Sequence, residues 1–165
     1  MESLEFKIKK DKRGVLFLVG RGGPGDYQRL LSMYLEFSPR PAAQGLPPAD
    51  QDKCCKWVEE ILGASTTFIA IREGRIIWHA ALIPDPKGKD YEYLIFVHQD
   101  HRNRGVGTAL TELAVEGARE MGYKSIWLCV ETKNISAIKL YEKFGFEFCD
   151  MDIWERKMML ELASS

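Results

Sequence analysis

An α/β domain is predicted from three features of the sequence. Short alternating or apolar stretches interleave with apolar stripes at helical spacing; glycine and proline fall between these stretches; and no window approaches a membrane-spanning length. At 165 residues, one domain over 1–165 is expected, long enough to bury a core without disulfides or metal. Hydrophobic residues make up 45% and charged residues 28%, a globular composition.

Leu4 to Lys9 alternates, Asp11 to Gly14 reads as a turn, and Val15 to Val19 is a short apolar run. These predict two strands. Asp26 is placed to cap a helix reaching about Phe37, with Tyr27, Leu30, Leu31, Tyr34 and Leu35 as its apolar stripe. The segment SPRPAAQGLPPA, from Ser38 to Ala49, holds four prolines and a glycine and must be a loop. Asp50 to Leu62 predicts a second helix ending at Gly63. Thr66 to Ile71 and Arg75 to Ile83 flank Glu73-Gly74 as a hairpin.

A strand from Tyr91 to His98 comes next, then a loop, then a helix striped with Val106, Leu110, Leu113, Ala114, Gly117 and Met121. Ser125 to Val130 alternates as a strand. Asn134 caps a helix running to Phe144, and Gly145 occupies the left-handed position beyond a helix end. Strands around Phe146 to Cys149 and Asp152 to Glu161 close the sheet.

Lys plus Arg (23) nearly cancels Asp plus Glu (24). With no large basic field, neither nucleic acid nor a membrane is expected as a partner. The run Lys7, Lys9, Lys10, Lys12, Arg13 reads as the solvated face and turn of a hairpin. The four cysteines form no CxxC or His-spaced pattern, so reduced thiols and no metal are expected. Cys129, between apolar neighbours, is expected to be buried. A cytoplasmic protein is the default reading.

Gly20, Gly22 and Gly25 match G-x-G-x-x-G after a strand and before a helix, as in a dinucleotide-binding loop. The helix then enters the proline-rich loop where a second parallel strand should begin, and Pro24 removes an amide such a loop would supply. An NAD-binding oxidoreductase is therefore the minor alternative.

In IFVHQDHRNRGVGTAL a strand ends, a polar loop carries Arg102, and Gly105 and Gly107 open an amphipathic helix. Unpaired amides at a helix start and the positive end of its dipole suit a diphosphate, and glycines permit close approach. No Lys-Ser/Thr pair completes a Walker loop. Arg102-Asn103-Arg104-Gly105-Val106-Gly107 resembles the Gln/Arg-x-x-Gly-x-Gly/Ala motif of the acyl-CoA N-acyltransferase (GNAT) superfamily. NISAIKLYEKFGF is similar to that family's Asn-x-x-Ala-x-x-x-Tyr-x-x-x-Gly-Phe segment. The resemblance is clear from Tyr91 to Phe146 and elsewhere rests on element order; Gln99 departs from the proline many members carry.

The resemblance implies a GNAT fold: a mixed, mostly antiparallel sheet of six to seven strands with a splayed parallel central pair, flanked by about four helices. It further implies an acetyl-CoA cosubstrate, no metal, and an amine acceptor that is a small molecule or a protein lysine or N-terminus; a homodimer is left open. Val97 would meet pantetheine through its main chain. Arg102, Asn103, Arg104, Gly105, Val106, Gly107 and Thr108 would hold the diphosphate, and Asn134 would lie near pantetheine besides capping its helix. Tyr141 would protonate the departing thiolate, although as the third residue from its helix end it also has a packing reading.

An alkylammonium must lose a proton before it attacks, so a base or a water chain is required. Glu92 and Glu131 are the candidates, and an expected bulge leaves open which faces they occupy. The loop from Ser38 to Ala49 and the aromatics Tyr34, Trp78, Tyr91 and Tyr93 are candidates for acceptor recognition, although such aromatics are more often core than binding platform. A non-catalytic acyl-CoA sensor on the same fold is the other alternative.

Overall fold

The computed structural model describes residues 6–36, 47–86, 90–151 and 155–162. Much of the proline-rich loop, the first residues of the first strand and the start of the last predicted strand lie outside them. Strands β1 (Lys7–Lys10) and β2 (Leu16–Arg21) form an antiparallel hairpin. The Asp11 carboxylate closes its turn by accepting the Arg13 and Val15 amides at 2.8 and 2.9 Å, the use of a short acid that turns favour.

Helices α1 (Tyr27–Leu35) and α2 (Gln51–Ala64) precede β3 (Thr66–Arg72) and β4 (Arg75–Pro84). Glu73 and Gly74 join these two strands with φ of 51° and 75°, the paired positive angles that let a two-residue turn match strand twist. Then come β5 (Asp90–Val97), α3 (Val106–Glu120), β6 (Ser125–Glu131), α4 (Ile135–Lys143), β7 (Glu147–Met151) and β8 (Glu155–Glu161).

One sheet of eight strands results, ordered β1-β2-β3-β4-β5-β6-β8-β7. Among the described residues β5 and β6 are its one parallel pair. The count exceeds the expected six to seven. The four-residue β1 is exposed throughout, so it has no core face and is held by its ladder to β2. That ladder, and the antiparallel pairing of β2 with β3, exclude a dinucleotide-binding crossover at Gly20.

Two cores flank the sheet. Leu30, Met33 and Tyr34 of α1 and Cys54, Val58 and Ile61 of α2 pack on Ile69 and Ala81. On the other face Val106, Leu110 and Ala114 of α3 and Tyr141 of α4 pack on Phe68, Ala80, Tyr93, Ile126 and Leu128. Helix-period stripes fix this division, because each helix has one apolar side to bury.

Three local expectations change, and for the aromatics the core reading holds. Asp26 accepts the Gly23 amide at 2.9 Å and so closes a 3-10 turn, Pro24–Asp26, instead of capping α1 with its side chain. Cys129 is exposed: the strand alternates, and among the described residues no helix covers its face of β6 as α3 covers the other. Tyr34, Trp78 and Tyr93 are core residues, at 0%, 9% and 3% exposure, rather than an open binding platform. The β4–β5 ladder runs from Trp78–Val97 to Pro84–Tyr91 with constant register; shifts occur instead between β3 and β4 and between β7 and β8.

Candidate active site

The parallel strands β5 and β6 pair only through Asp90–Ser125, Tyr91–Ile126 and Glu92–Trp127, and then diverge. At the closed end the Ser125 hydroxyl donates to the Asp90 carboxylate. Two bonds fix which main-chain groups of β5 face the opening. His98 N–H donates to Ile77 O at 2.9 Å and Asp85 N–H to Asp90 O at 3.1 Å, so even-numbered residues of β5 bond to β4. By the alternation of an antiparallel ladder, Tyr93, Ile95 and Val97 direct theirs toward the diverged β6.

The start of α3 lies over the open end of this fork. Gly105 takes φ +85°, where a Cβ is strained, and Asn103 at φ 59° turns the preceding loop. Gly107 is buried, and a Cβ there would stand 2.7 Å from the Trp78 ring and 3.4 Å from Leu140. This contact joins α3, α4 and β4, and Trp78 is the ladder partner of Val97 at the tip of β5. The two glycines of the motif thus differ: Gly105 supplies a backbone angle, and Gly107 makes room for an indole. Val106, Gly107 and Thr108 form the first helical turn, whose amides have no partner within the helix.

Residues that the sequence reading did not single out brace the loop. Lys12 N–H donates to Arg104 O at 2.8 Å, docking the β1–β2 turn on it. The buried Asp11 carboxylate pairs with Arg72 at 2.8 Å and stands 3.8 Å from the Arg104 guanidinium. Burial alone would raise the Asp11 pKa; the Val15 and Arg13 amides and Arg72 outweigh it and hold it below the usual carboxylate value. Arg72 also donates to His101 Nδ1 at 3.1 Å, which makes that nitrogen an acceptor. Burial, then the charge of Arg72, lowers the His101 pKa.

Arg104 therefore turns toward Asp11, while Arg102 and Asn103 are exposed. Behind the loop a cavity of about 330 Å³ is lined by Arg29, Glu36, Arg72, Arg75, His98 and His101, among others. In its lining Arg75 pairs with Glu36, Arg29 with Asp26 and Arg72 with Asp11, and His98 Nε2 lies 3.2 Å from Glu36 Oε2.

Helix α4 is capped as its sequence dictates. The Asn134 side chain accepts the Ala137 amide at 3.2 Å. At the other end Phe146 N–H donates to Tyr141 O at 3.1 Å and Gly145 N–H to Glu142 O at 3.0 Å, with Gly145 at φ +94°. These are the two bonds of a Schellman ending. Tyr141 is 6% exposed, its ring edge-on to Tyr93 at 6.3 Å and 5.7 Å from Phe146. Burial raises its pKa well above that of a free phenol. Tyr93 directly follows the last residue of β5 that pairs with β6, which places Tyr141 at the level of the fork.

Strand parity settles where the two carboxylates sit. Ile126, Leu128 and Val130 join the α3 core, so Trp127, Cys129 and Glu131 occupy the opposite face of β6. Glu92, register partner of Trp127, shares that face. Both acids therefore lie across the sheet from Tyr141. They are not together: Glu131 stands four residues beyond Trp127, roughly 13 Å along the strand. Tyr91 stacks on Tyr123 with ring centroids 3.3 Å apart. Among the described residues no group of three or more metal-ligand side chains occurs, and no helix is long and apolar enough to cross a membrane.

A forked parallel pair with a glycine-bearing helix start at its mouth defines the class. The profile of the Acetyltransferase (GNAT) family matches residues 28–146, and the chain belongs to that family. A stretch of 58 residues is 41% identical to the streptothricin acetyltransferase of Streptomyces lavendulae, covering 35% of this chain and 31% of that one. The chain spans less than half the length of the curated relatives it matches. Among solved structures, the GNAT domain of S. lividans PAT superposes with TM-score 0.75 at 19% identity, over 95% of this chain and 97% of that one. The PaiA N-acetyltransferase of Thermoplasma acidophilum, solved with coenzyme A, gives 0.68 at 15%, over 88% and 99%. At such identities these likenesses establish the fold.

Proposed function

We propose that this chain transfers an acetyl or other short acyl group from acyl-CoA to a primary amine of a small molecule or a protein. Family membership and the fork support this reading, and the observation that carries it is the packing at Gly107 of α3 on Leu140 of α4 and on Trp78 of β4, the ladder partner of Val97 at the tip of β5. The amides from Arg102 to Thr108 hold the diphosphate, and Gly105 gives the backbone room to turn toward it. Pantetheine enters between β5 and β6 and bonds to the main chain of Val97 as an added strand would. Asn134 flanks it from the start of α4.

The amine attacks the thioester carbonyl directly, without a covalent enzyme intermediate. A new C–N bond forms, the C–S bond breaks, and the thiolate leaves with a proton from the Tyr141 hydroxyl. An amide near Val97 polarises the carbonyl. Before attack the ammonium loses one proton toward the far face of the sheet, where Glu92 is favoured over Glu131; the second nitrogen proton, shed once the C–N bond has formed, passes to solvent, from which the Tyr141 hydroxyl is restored. Glu92 stands at the fork beside Tyr93 on the face opposite Tyr141, so nucleophile and leaving group are served from opposite sides. The cytoplasm is the expected compartment, and the chain acts there as a single domain.

Thiol release from acetyl-CoA, measured against a panel of primary amines and amine-bearing peptides, tests this reading. At least one acceptor should raise release above the acceptor-free rate. If acetyl-CoA raises the melting temperature yet no acceptor raises release, the chain is a sensor of acyl-CoA and the transfer reading is wrong.

A further inference from the structure

We propose that Lys12, on the turn between β1 and β2, is a phosphate-binding cation of the acyl-CoA site, supplied by an edge hairpin that the loop motif does not include. The inference rests on the reading that the start of α3 holds the phosphates of acyl-CoA, and it adds a residue some ninety positions away in sequence.

Three observations converge on it. The turn is docked, because the Lys12 amide bonds to Arg104 O at 2.8 Å and Asp11 engages Arg72 and Arg104. Its side chain then lies along Gly105: a Cβ built there would meet Lys12 Cγ at 3.4 Å, Cε at 3.6 Å and Cδ at 3.9 Å. The ammonium is one bond beyond Cε, which lies against Gly105, the residue that opens α3.

The charge balance points to an anion. Among the described residues the Lys12 ammonium has no carboxylate within 4.0 Å. Arg104, one of the loop's two arginines, stands 3.8 Å from Asp11 and is partly compensated. Lys12 therefore brings the less compensated charge, and brings it to the end of a fifteen-residue helix where the dipole disfavours a cation. A phosphate bound at that end reverses the sign of this interaction. The flexible four-carbon stem allows the ammonium to meet either the diphosphate or the ribose 3′-phosphate, which share the same chemistry.

Binding of acetyl-CoA, its 3′-dephospho form and S-acetylpantetheine, measured by calorimetry at low salt for wild type, Lys12→Gln, Lys12→Arg and the hairpin control Lys9→Gln, tests the proposal. Lys12→Gln should weaken acetyl-CoA binding about 5-fold, in the range of a partly exposed charge-assisted contact. Arg at position 12 should restore most of it, and Lys9→Gln should leave it within a factor of two. A loss that persists with the dephospho form assigns the diphosphate, and one that vanishes assigns the 3′-phosphate; either supports the proposal.

Affinity for S-acetylpantetheine, which has no phosphate, should be unchanged. An equal loss there would mean that Lys12 only holds the fold, and would overturn the proposal. So would Lys12→Gln binding acetyl-CoA as tightly as a wild type that binds it. A wild type that binds none of the three removes the acyl-CoA reading itself, and this proposal with it.

Discussion

Replacing Gly107 with alanine isolates packing from ligand contact at the mouth of the fork. The added Cβ would sit 2.7 and 2.8 Å from Cζ3 and Cη2 of Trp78 and 3.4 Å from Leu140 Cδ2. The first two separations are too short for carbon atoms, and Trp78 is only 9% exposed, so the indole cannot simply swing into solvent. Overpacking of this kind costs about 1–3 kcal/mol. For a chain of this size each kcal/mol lowers the melting temperature by roughly 2–4 °C, giving a fall of roughly 2–12 °C by calorimetry or circular dichroism. Alanine favours a helix over glycine, so any loss occurs against the propensity. The colliding atoms belong to the outer edge of the indole, which phenylalanine lacks. Combining Gly107→Ala with Trp78→Phe should therefore cost less than the two single changes together, with a coupling of about 1–2 kcal/mol. A Gly107→Ala protein that melts at or above wild type, or strict additivity in the double variant, would refute the packing argument.

Tyr141→Phe should lower kcat by about 100-fold or more and leave acetyl-CoA affinity within a factor of two; equal turnover would leave Tyr141 with its packing role alone. His79 is fully buried with Nδ1 2.6 Å from the Tyr34 hydroxyl, and burial lowers its pKa from 6.5 to about 3. The unfolded chain therefore takes up this proton first as pH falls. Its contribution is complete above pH 6.5 and is lost progressively toward pH 3, at about 1.4 kcal/mol per pH unit. Urea unfolding at pH 7 and pH 5 should show wild type losing about 2 kcal/mol on this account and His79→Gln losing less; equal losses would contradict it. Asp11→Asn removes the charge facing Arg72 and Arg104 and should weaken acetyl-CoA binding about 3- to 10-fold by loosening the loop. Unchanged affinity in calorimetry would show that the hairpin turn does not position the loop.

What the sequence disclosed follows from the range of the interactions. The Asn134 cap, the Gly145 ending and the Glu73-Gly74 turn each depend on a few consecutive residues, and each lies where its residue types put it. Placing Tyr141 three residues before its helix end followed from the same local logic. Glu92 and Glu131 could not be assigned a face until the pairing of β5 with β6 was known, because a shift of one residue exchanges the two faces. The brace around the loop was equally hidden. Asp11–Arg72 and Lys12–Arg104 join positions that no periodicity connects, and the basic run that contains Lys12 looks like any solvated turn. Cys129 was misjudged because apolar neighbours in an alternating strand lie on the opposite side from the residue between them.

The three rungs shared by β5 and β6 make a seam across an otherwise continuous sheet. Five strands form one panel and three the other; Tyr91 stacks on Tyr123 at the rungs, and just beyond them Tyr93 meets Tyr141 through side chains alone. Sub-global opening follows the line with the fewest main-chain bonds. A strand-like ligand laid into that line acts as a stitch, so occupancy would slow amide exchange in both panels at once.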